Sequence, residues 1–243
     1  MKRKISMLLS IVILVTSVVF VNAQETTSKA ANRGKLEALN IIEDSLVTAS
    51  GVTRENFARI MMRFMNMSDE GECTETRFID VDVNDACAYA INSMYDMRCM
   101  IGYENYLFKP KQNITYDEAV CTIVLCLGYN IFGNDNAWPD KRIKFSDDLG
   151  LLDDLTYMGS RAITETDIII LLNNALSAEV VGYEGLRGNE PALKYFHEMY
   201  ETEGVVTANE YTSIVGTYDA TPAGYIRVGN VNYTTIENCN DLL

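Results

Sequence analysis

Three segments of the chain begin with the same short pattern, and this repetition constrains the fold more than any other feature of the sequence. In each segment a β-branched residue is followed by a threonine and then by an amphipathic run. The three pairs are Val52–Thr53, Ile114–Thr115 and Ile163–Thr164. A pattern that recurs in this way indicates one supersecondary unit used several times, with neighbouring units burying each other's apolar faces.

The residues after each threonine have the spacing of a helical face. After Thr53, the apolar residues from Phe57 onward fall at i, i+3, i+4, i+7 and i+8, and the other two segments share this stripe. Thr115 followed by Glu118 is the signature of a capping box, in which each side chain accepts a hydrogen bond from the other residue's backbone N–H. The other two segments have shorter side chains at the position of Glu118. The pattern predicts three helices, each beginning directly after its threonine.

Further helical segments are predicted at residues 35–42, 84–97 and 139–152, joined by turns that contain glycine or proline. Each repeat is therefore a helix, a loop and a helix. Successive motif threonines are 62 and 49 residues apart, which indicates loops of variable length between similar helices. We predict a mainly α fold in which three such repeats pack as one body with approximate threefold symmetry.

Residues 181–243 differ in character from the repeats. A short helix is predicted at 190–200, with Pro191 in its first turn. Gly229 and Asn230 suit a two-residue hairpin turn. Short runs rich in Val, Ile, Tyr and Thr predict strands at 204–207, 211–215, 225–228 and 231–235. We therefore expect a small α+β segment after the helical repeats.

Residues 1–23 have the pattern of a secretory signal peptide. Three basic residues stand within the first four positions, an apolar run of 16 residues extends to Phe20, and Ala23 precedes the expected cleavage site. A membrane span needs about 20 apolar residues, so the alternative of an uncleaved anchor is disfavoured. We expect cleavage before Gln24 and a mature chain that is free of the membrane.

The charge balance excludes several functions. The chain has 20 basic and 34 acidic residues, and removal of the signal peptide leaves 17 against 34, a net charge of −17. Nucleic-acid binding needs a basic face and is not expected.

His197 is the only histidine, and no nucleophile motif or glycine-rich phosphate loop accompanies it. We therefore expect no catalytic residue, no metal site and no cofactor.

The chain has six cysteines, an even number that in an exported protein would allow disulfides. Most of them lie among apolar residues in predicted helices, where cysteine commonly behaves as a small hydrophobic residue. Buried free thiols are favoured, and one or more disulfides remain the alternative. The cysteines are Cys73, Cys87, Cys99, Cys121, Cys126 and Cys239.

Four landmarks occur in order in the second repeat. They are Phe78-Ile-Asp-Val81, Gly102-Tyr103, Phe108-Lys-Pro110 and Ile114-Thr-Tyr-Asp-Glu118. This series resembles the S-layer homology repeat, whose pattern runs Phe-x-Asp-Val, Gly-Tyr, Phe-x-Pro and Ile-Thr-Arg-Ala-Glu. Weaker matches extend the resemblance over about residues 36–178. The boundaries expected from it are a signal peptide at 1–23, a linker at 24–35, repeats at 36–70, 71–130 and 131–180, and a C-terminal segment at 181–243.

The resemblance to S-layer homology proteins of Gram-positive bacteria implies a fold and a function. The implied fold is a three-lobed helical prism around a central three-helix bundle. The implied function is a secreted, non-enzymatic module at the cell wall or S-layer that binds an anionic secondary wall polysaccharide or another peptidoglycan-linked glycan. Two alternatives stay open: a scaffold or self-associating protein that has lost glycan affinity, and the anchoring part of a longer exported enzyme.

The candidate glycan-binding residues are Arg54, Asp80, Tyr103 and Tyr116. Arg54 is the only basic residue at the first helical position of the three motifs, where a positive charge opposes the helix dipole. A cation in that position suits an acidic sugar polymer. Glu165 in the third motif would repel such a polymer, so at most two competent grooves are expected. The alternatives are an exposed surface arginine for Arg54, a cap or turn role for Asp80 and core packing for Tyr103.

Overall fold

The computed structural model describes residues 32–129, 139–181, 190–199, 206–211, 213–214 and 219–234. The chain divides into two compact bodies, residues 1–198 and 199–243. The predicted signal peptide and its cleavage site lie outside the described residues.

The first body is helix-rich. Its helices are α1 (32–38), α2 (Arg54–Phe64), α3 (Ala88–Asp96), α4 (Tyr116–Cys126), α5 (Asp140–Asp148), α6 (Glu165–Ser177) and α7 (Ala192–His197), with a short 3-10 helix at Glu104–Tyr106. A two-stranded antiparallel sheet joins β1 (Glu179–Val180) to β2 (Glu190–Pro191). No helix among the described residues is both long and apolar enough to cross a membrane.

The three motif threonines cap the helices that the sequence predicts after them. The hydroxyl groups of Thr53, Thr115 and Thr164 accept hydrogen bonds from backbone N–H groups three residues further on, at 3.4, 3.3 and 3.1 Å. Thr115 has the complete capping box, because its own N–H donates to Glu118 Oε2 at 3.0 Å. Caps of this kind stabilise a helix by about 0.5–2 kcal/mol. The predicted starts of α2, α4 and α6 are confirmed.

The β-branched residues of the motifs join the three segments to one another. The Ile114 N–H donates to the Val52 carbonyl at 2.9 Å, and the Ile163 N–H donates to the Ile114 carbonyl at 3.0 Å. All three side chains are buried in one apolar core. Each motif helix then packs against the helix that follows it: α2 against α3, α4 against α5 and α6 against α7. The repeated pattern therefore marks the places where distant parts of the chain meet.

The helices predicted at 35–42, 84–97 and 139–152 are present but end earlier. Asn40, Arg98 and Gly150 follow α1, α3 and α5 with left-handed backbone angles, φ 56°, 59° and 72°. Each is followed by a residue whose N–H donates to the carbonyl five positions back, which is the Schellman termination. The three bonds run from Ile41 to Leu36, from Cys99 to Met94 and from Leu151 to Ser146.

The second body contains a three-stranded antiparallel sheet in the order β3 (Val206–Ala208), β4 (Tyr225–Val228) and β5 (Val231–Thr234). Val228 pairs with Val231, so Gly229 and Asn230 form the predicted two-residue turn. The strand predicted at 211–215 is not confirmed: in the described part of that segment, Ser213 makes one isolated bridge to Ala208.

Gly128, just after the end of α4, occupies a position where both the backbone conformation and the surrounding atoms favour glycine. Gly128 has φ +89°, and a Cβ there would lie 2.2 Å from the Val181 carbonyl oxygen. Gly159 also has a positive φ, +63°, but a Cβ there would meet nothing within 4 Å. We expect Gly128→Ala to lower the free energy of unfolding by about 3 kcal/mol, because strain and overlap add, and Gly159→Ala by only about 1 kcal/mol. Urea unfolding measures both, and equal losses would contradict the predicted overlap.

Candidate functional site

The N-terminus of α2 lies against the loop formed by residues 101–112, and we call this contact junction A. The backbone N–H groups of Arg54 and Glu55 donate to the carbonyls of Gln112 and Pro110, at 2.9 and 3.1 Å. The first N–H groups of any helix have no partner within the helix, so this loop satisfies two groups that would otherwise need water.

The N-terminus of α4 has the same arrangement with residues 157–161, which we call junction B. The backbone N–H groups of Tyr116 and Asp117 donate to the carbonyls of Arg161 and Gly159, at 3.0 and 3.1 Å. Each of these helix starts is therefore completed by a loop that comes later in the chain.

Arg54 is buried at junction A, with its side chain 3% exposed. Its guanidinium group donates to the Phe108 carbonyl at 2.8 Å, to the Ile101 carbonyl at 2.9 Å and to Glu118 Oε1 at 2.7 Å. The guanidinium carbon also lies 4.6 and 4.8 Å from the ring centroids of Phe108 and Tyr103. The alternative of an exposed surface arginine is wrong, because the side chain is buried. A charge that is removed from water needs hydrogen-bonding partners of this kind. Arg54 fastens the 101–112 loop to α2.

Glu118 connects three parts of junction A. One carboxylate oxygen accepts from Arg54 and from the Tyr103 hydroxyl, while the other accepts from the Thr115 backbone. Burial, and next the bond to Glu118, raise the pKa of Tyr103 to about 12, so this phenol stays a hydrogen-bond donor. The sequence identified Glu118 only as a capping residue. Its second role follows from a pairing between residues 64 positions apart, which no local pattern reveals.

Asp80 supports the same loop from the other side. Its two carboxylate oxygens accept from the backbone N–H groups of Phe108 and Lys109, each at 2.8 Å. Lys109 has a left-handed backbone with φ 57°, and Asp80 stabilises that turn. Asp80 therefore has the turn role that was its alternative assignment, and its carboxylate positions the backbone of Lys109.

Tyr116 lies at junction B and is not part of the cluster around Arg54. Its side chain is fully buried, its hydroxyl donates to the Asp167 carboxylate, and its ring makes an edge contact with Tyr157 at 6.3 Å between centroids. Burial, and next the bond to Asp167, raise the pKa of Tyr116 to about 12. The structure thus brings together Arg54, Asp80 and Tyr103, while the burial of Tyr116 conflicts with direct contact to a polymer.

The third motif helix has a reversed charge at its first position. Glu165 accepts a hydrogen bond from Arg33 of α1 at 2.8 Å, and Arg33 also pairs with Glu37 and Asp44 at 2.7 and 2.6 Å. An acidic residue suits the positive end of the helix dipole. The negative charge of Glu165 thus has a partner supplied by the protein itself.

Two lysines give junction A its accessible positive charge. The Lys109 ammonium lies 4.1 Å from the centroid of the Tyr103 ring, and the Lys111 side chain is 82% exposed, with its ammonium 2.7 Å from Glu55. Gln112 is exposed beside them and donates to the Tyr103 hydroxyl at 3.4 Å. We call Tyr103, Lys109, Lys111 and Gln112 the junction A surface. The two lysines stand on either side of Pro110 in the sequence, but they are not among the candidate residues predicted from it.

The junction A surface has the chemistry of a site for an acidic, hydroxyl-rich polymer. Ammonium groups attract anions, an amide can donate and accept, and an aromatic ring offers an apolar contact to a sugar. Within the described ranges, no group of three or more His, Cys, Asp and Glu side chains is arranged to hold a metal ion.

The burial of Arg54 predicts a large loss of stability on its removal. Arg54→Ala leaves Glu118 without its cation and two carbonyls without donors, so we expect a loss of about 3 kcal/mol in the free energy of unfolding. Arg77→Ala is the control, because Arg77 is 51% exposed and its two ion pairs are on the surface, where we expect a change of roughly 0–1 kcal/mol. Urea titrations that gave similar small losses for both variants would contradict the buried role of Arg54.

The raised pKa values of Tyr103 and Tyr116 predict alkaline sensitivity. A tyrosine in the unfolded chain releases its proton near pH 10, whereas these two have folded-state pKa values of about 12. Their contribution to stability is complete below pH 10 and is lost as the pH rises from about 10 to 12. We expect the double variant Tyr103→Phe, Tyr116→Phe to lose less stability between pH 9 and 11 than the parent, measured by urea unfolding. Tyr106→Phe, in the same loop but 76% exposed, should follow the parent.

Comparison with known proteins agrees with this organisation. Residues 77–120 match the family model of the S-layer homology domain. This range contains Asp80, the whole 101–112 loop and the capping box of α4, which are the parts that form one side of junction A.

Similarity to other proteins extends beyond that domain. The chain is 28% identical over 153 residues to the middle cell wall protein of Brevibacillus brevis, which covers 60% of this chain and 14% of the relative. It is 24% identical over 174 residues to a cell surface protein of Thermoanaerobacter kivui, covering 68% and 22% of the two chains. It is also 24% identical over 197 residues to the surface layer protein of Brevibacillus choshinensis, covering 74% and 17%. The chain thus spans less than a quarter of the length of these relatives. It contains an S-layer homology domain and is similar to bacterial cell-surface proteins.

Proposed function

We propose that this chain is an exported, non-enzymatic wall-binding module that attaches noncovalently to an anionic secondary cell wall polysaccharide. The S-layer homology domain and the similarity to cell-wall and surface-layer proteins support attachment at the cell surface. S-layer homology domains bind cell wall glycans in general. The proposed localisation is the cell wall, after cleavage of a signal peptide at residues 1–23.

The proposed architecture is three S-layer homology repeats, at 36–70, 71–130 and 131–180, arranged as a prism around a central bundle of the three motif helices. The residues at 181–243 form a further C-terminal segment. The matching threonine caps, the hydrogen bonds among Val52, Ile114 and Ile163, and the three Schellman turns support this arrangement.

We place the glycan contact at the junction A surface. The observation that carries this assignment is the exposed Lys109, whose ammonium lies over the Tyr103 ring, with the exposed Lys111 two residues further on, in a chain that is otherwise strongly acidic. Arg54 and Asp80 act as positioning residues in this proposal. Arg54 holds the loop to α2, and Asp80 sets the turn that directs Lys109.

The other two motif helices offer less to an anion. At junction B, the aromatic residue Tyr116 is buried and bonded to Asp167. At the third helix, Glu165 presents a carboxylate that Arg33 already neutralises. We therefore propose one competent groove per chain, at junction A.

Co-sedimentation with purified wall sacculi tests the proposal. The protein lacking residues 1–23 is mixed with sacculi that retain the secondary polysaccharide and with sacculi from which it has been removed. We expect pelleting only with the polysaccharide, and a loss of roughly tenfold or more in affinity for Lys109→Gln, Lys111→Gln, because two ammonium contacts of about 1 kcal/mol each are removed.

A matched control separates local contacts from net charge. Lys141→Gln, Lys144→Gln removes the same charge from exposed positions of α5 and should pellet like the parent. Equal losses in both double variants would assign binding to overall charge and would contradict the junction A surface. If the folded parent did not pellet at any ionic strength, the scaffold alternative would replace wall binding.

A further inference from the structure

The first turn of α2 places an acidic side chain against the junction A surface. The Glu55 carboxylate accepts a hydrogen bond from the Lys111 ammonium, with 2.7 Å between Oε1 and Nζ. The two residues are 56 positions apart, so the pair links α2 to the 101–112 loop across junction A. One of the two ammonium groups that we assign to glycan binding is therefore already paired with a carboxylate of the protein itself.

The two members of this pair differ in their access to solvent. The Lys111 side chain is 82% exposed, whereas the Glu55 side chain is only 12% exposed. Glu55 is thus enclosed by the protein, and Lys111 covers it from outside. An acidic polymer can approach the ammonium group freely, but it meets a positive charge that the carboxylate behind it has neutralised.

Backbone hydrogen bonds hold the loop in place independently of this ion pair. The N–H groups of Arg54 and Glu55 donate to the carbonyls of Gln112 and Pro110 at 2.9 and 3.1 Å. A carboxylate in the first turn of a helix is also stabilised by the helix dipole. Lys111 can therefore turn from Glu55 to an external anion while the 101–112 loop stays attached to α2.

We propose that Glu55 is an internal competitor of the glycan, which holds the Lys111 ammonium in the free protein and lowers the affinity of the junction A surface for acidic polymers. This inference rests on the proposed glycan binding and names a residue that limits it. A neutral polymer cannot take an ammonium group from a carboxylate, whereas a polymer that carries acidic groups can. Glu55 therefore makes the surface selective for acidic polymers.

The two lysines of the surface differ in this respect. The Lys109 ammonium lies over the Tyr103 ring, which attracts a cation without neutralising its charge. The hydrogen bond to Glu55 is the largest cause that raises the pKa of Lys111. Lys111 thus stays protonated at neutral pH, but its charge is balanced within the protein, and we expect removal of Glu55 to release its full attraction for an anion.

Binding to wall sacculi that retain the secondary polysaccharide tests the proposal. The protein lacking residues 1–23 is titrated with sacculi at low ionic strength, which gives a dissociation constant for each variant. We expect Glu55→Gln to bind about threefold to fivefold more tightly than the parent, which is the range for release of one exposed ion pair. Glutamine keeps the size of the side chain and leaves the backbone bond to Pro110 intact. High salt should reduce this gain, because exposed charges are screened.

Two comparisons separate competition for Lys111 from a change in net charge. In a Lys111→Gln background, Glu55→Gln should raise the affinity by less than about twofold, because no ammonium group then holds the polymer beside Glu55. Glu104→Gln removes the same charge from an exposed position of the same loop and should also change the affinity by less than about twofold. A full gain in the Lys111→Gln background, or an equal gain from Glu104→Gln, would overturn the proposal.

A second measurement does not depend on the glycan. Acetylation needs a neutral amine, so a pair with Glu55 protects Lys111 from the reagent. Near pH 8 and without sacculi, we expect Glu55→Gln to raise the acetylation rate of Lys111 about twofold or more relative to the exposed Lys144, measured by mass spectrometry. An unchanged ratio would show that the pair does not form in solution and would overturn the proposal.

The failure of this inference is distinguishable from the failure of the proposed function. If the parent pelleted with the polysaccharide but Glu55→Gln bound no more tightly, the competitor role alone would be wrong. If neither the parent nor Glu55→Gln pelleted at any ionic strength, the proposed glycan binding would be wrong, and the competitor role would fail with it.

Discussion

The first N–H groups of a helix have no partners inside it, and the first body of this protein is built around that requirement. At α2 and α4, a loop that comes later in the chain supplies carbonyl groups to these N–H groups, and a motif threonine supplies the cap. Because an unpaired buried N–H costs about 1–3 kcal/mol, neither helix start is complete without its loop. At these junctions, the start of each helix therefore depends on a contact with a distant part of the chain.

The burial of Arg54 follows from this construction. Its position at the start of α2 is electrostatically unfavourable for a helix, but Glu118 and the two loop carbonyls surround it. Arg54, a candidate glycan contact from its sequence, holds the 101–112 loop to α2. The exposed cationic side chains of junction A are Lys109 and Lys111. The sequence named Arg54, Asp80 and Tyr103, which the structure brings together, but it did not point to the two lysines of the same loop.

Whether a structural feature can be predicted from the sequence depends on how far apart in the chain the interacting residues lie. The starts of α2, α4 and α6 and the turn at Gly229 were predictable because caps and hairpin turns are encoded within a few residues. The early ends of α1, α3 and α5 were missed because Asn40 and Arg98 adopt left-handed angles that glycine usually takes, and only Gly150 gave a visible signal. The links from Arg54 to Glu118 and from Arg33 to Glu165 join residues 64 and 132 positions apart, beyond any local pattern.

The first residue of each motif helix has a side-chain partner of different chemistry. An arginine pairs with a glutamate, a tyrosine with an aspartate, and a glutamate with an arginine from α1. These pairs are not interchangeable. A chain rearranged so that the segment with Glu165 preceded the segment with Glu118 would place two carboxylates where a salt bridge now stands. The charge of each pair therefore matches one order of the three motif segments, and pairing them in another order would bring like charges together, which disfavours it.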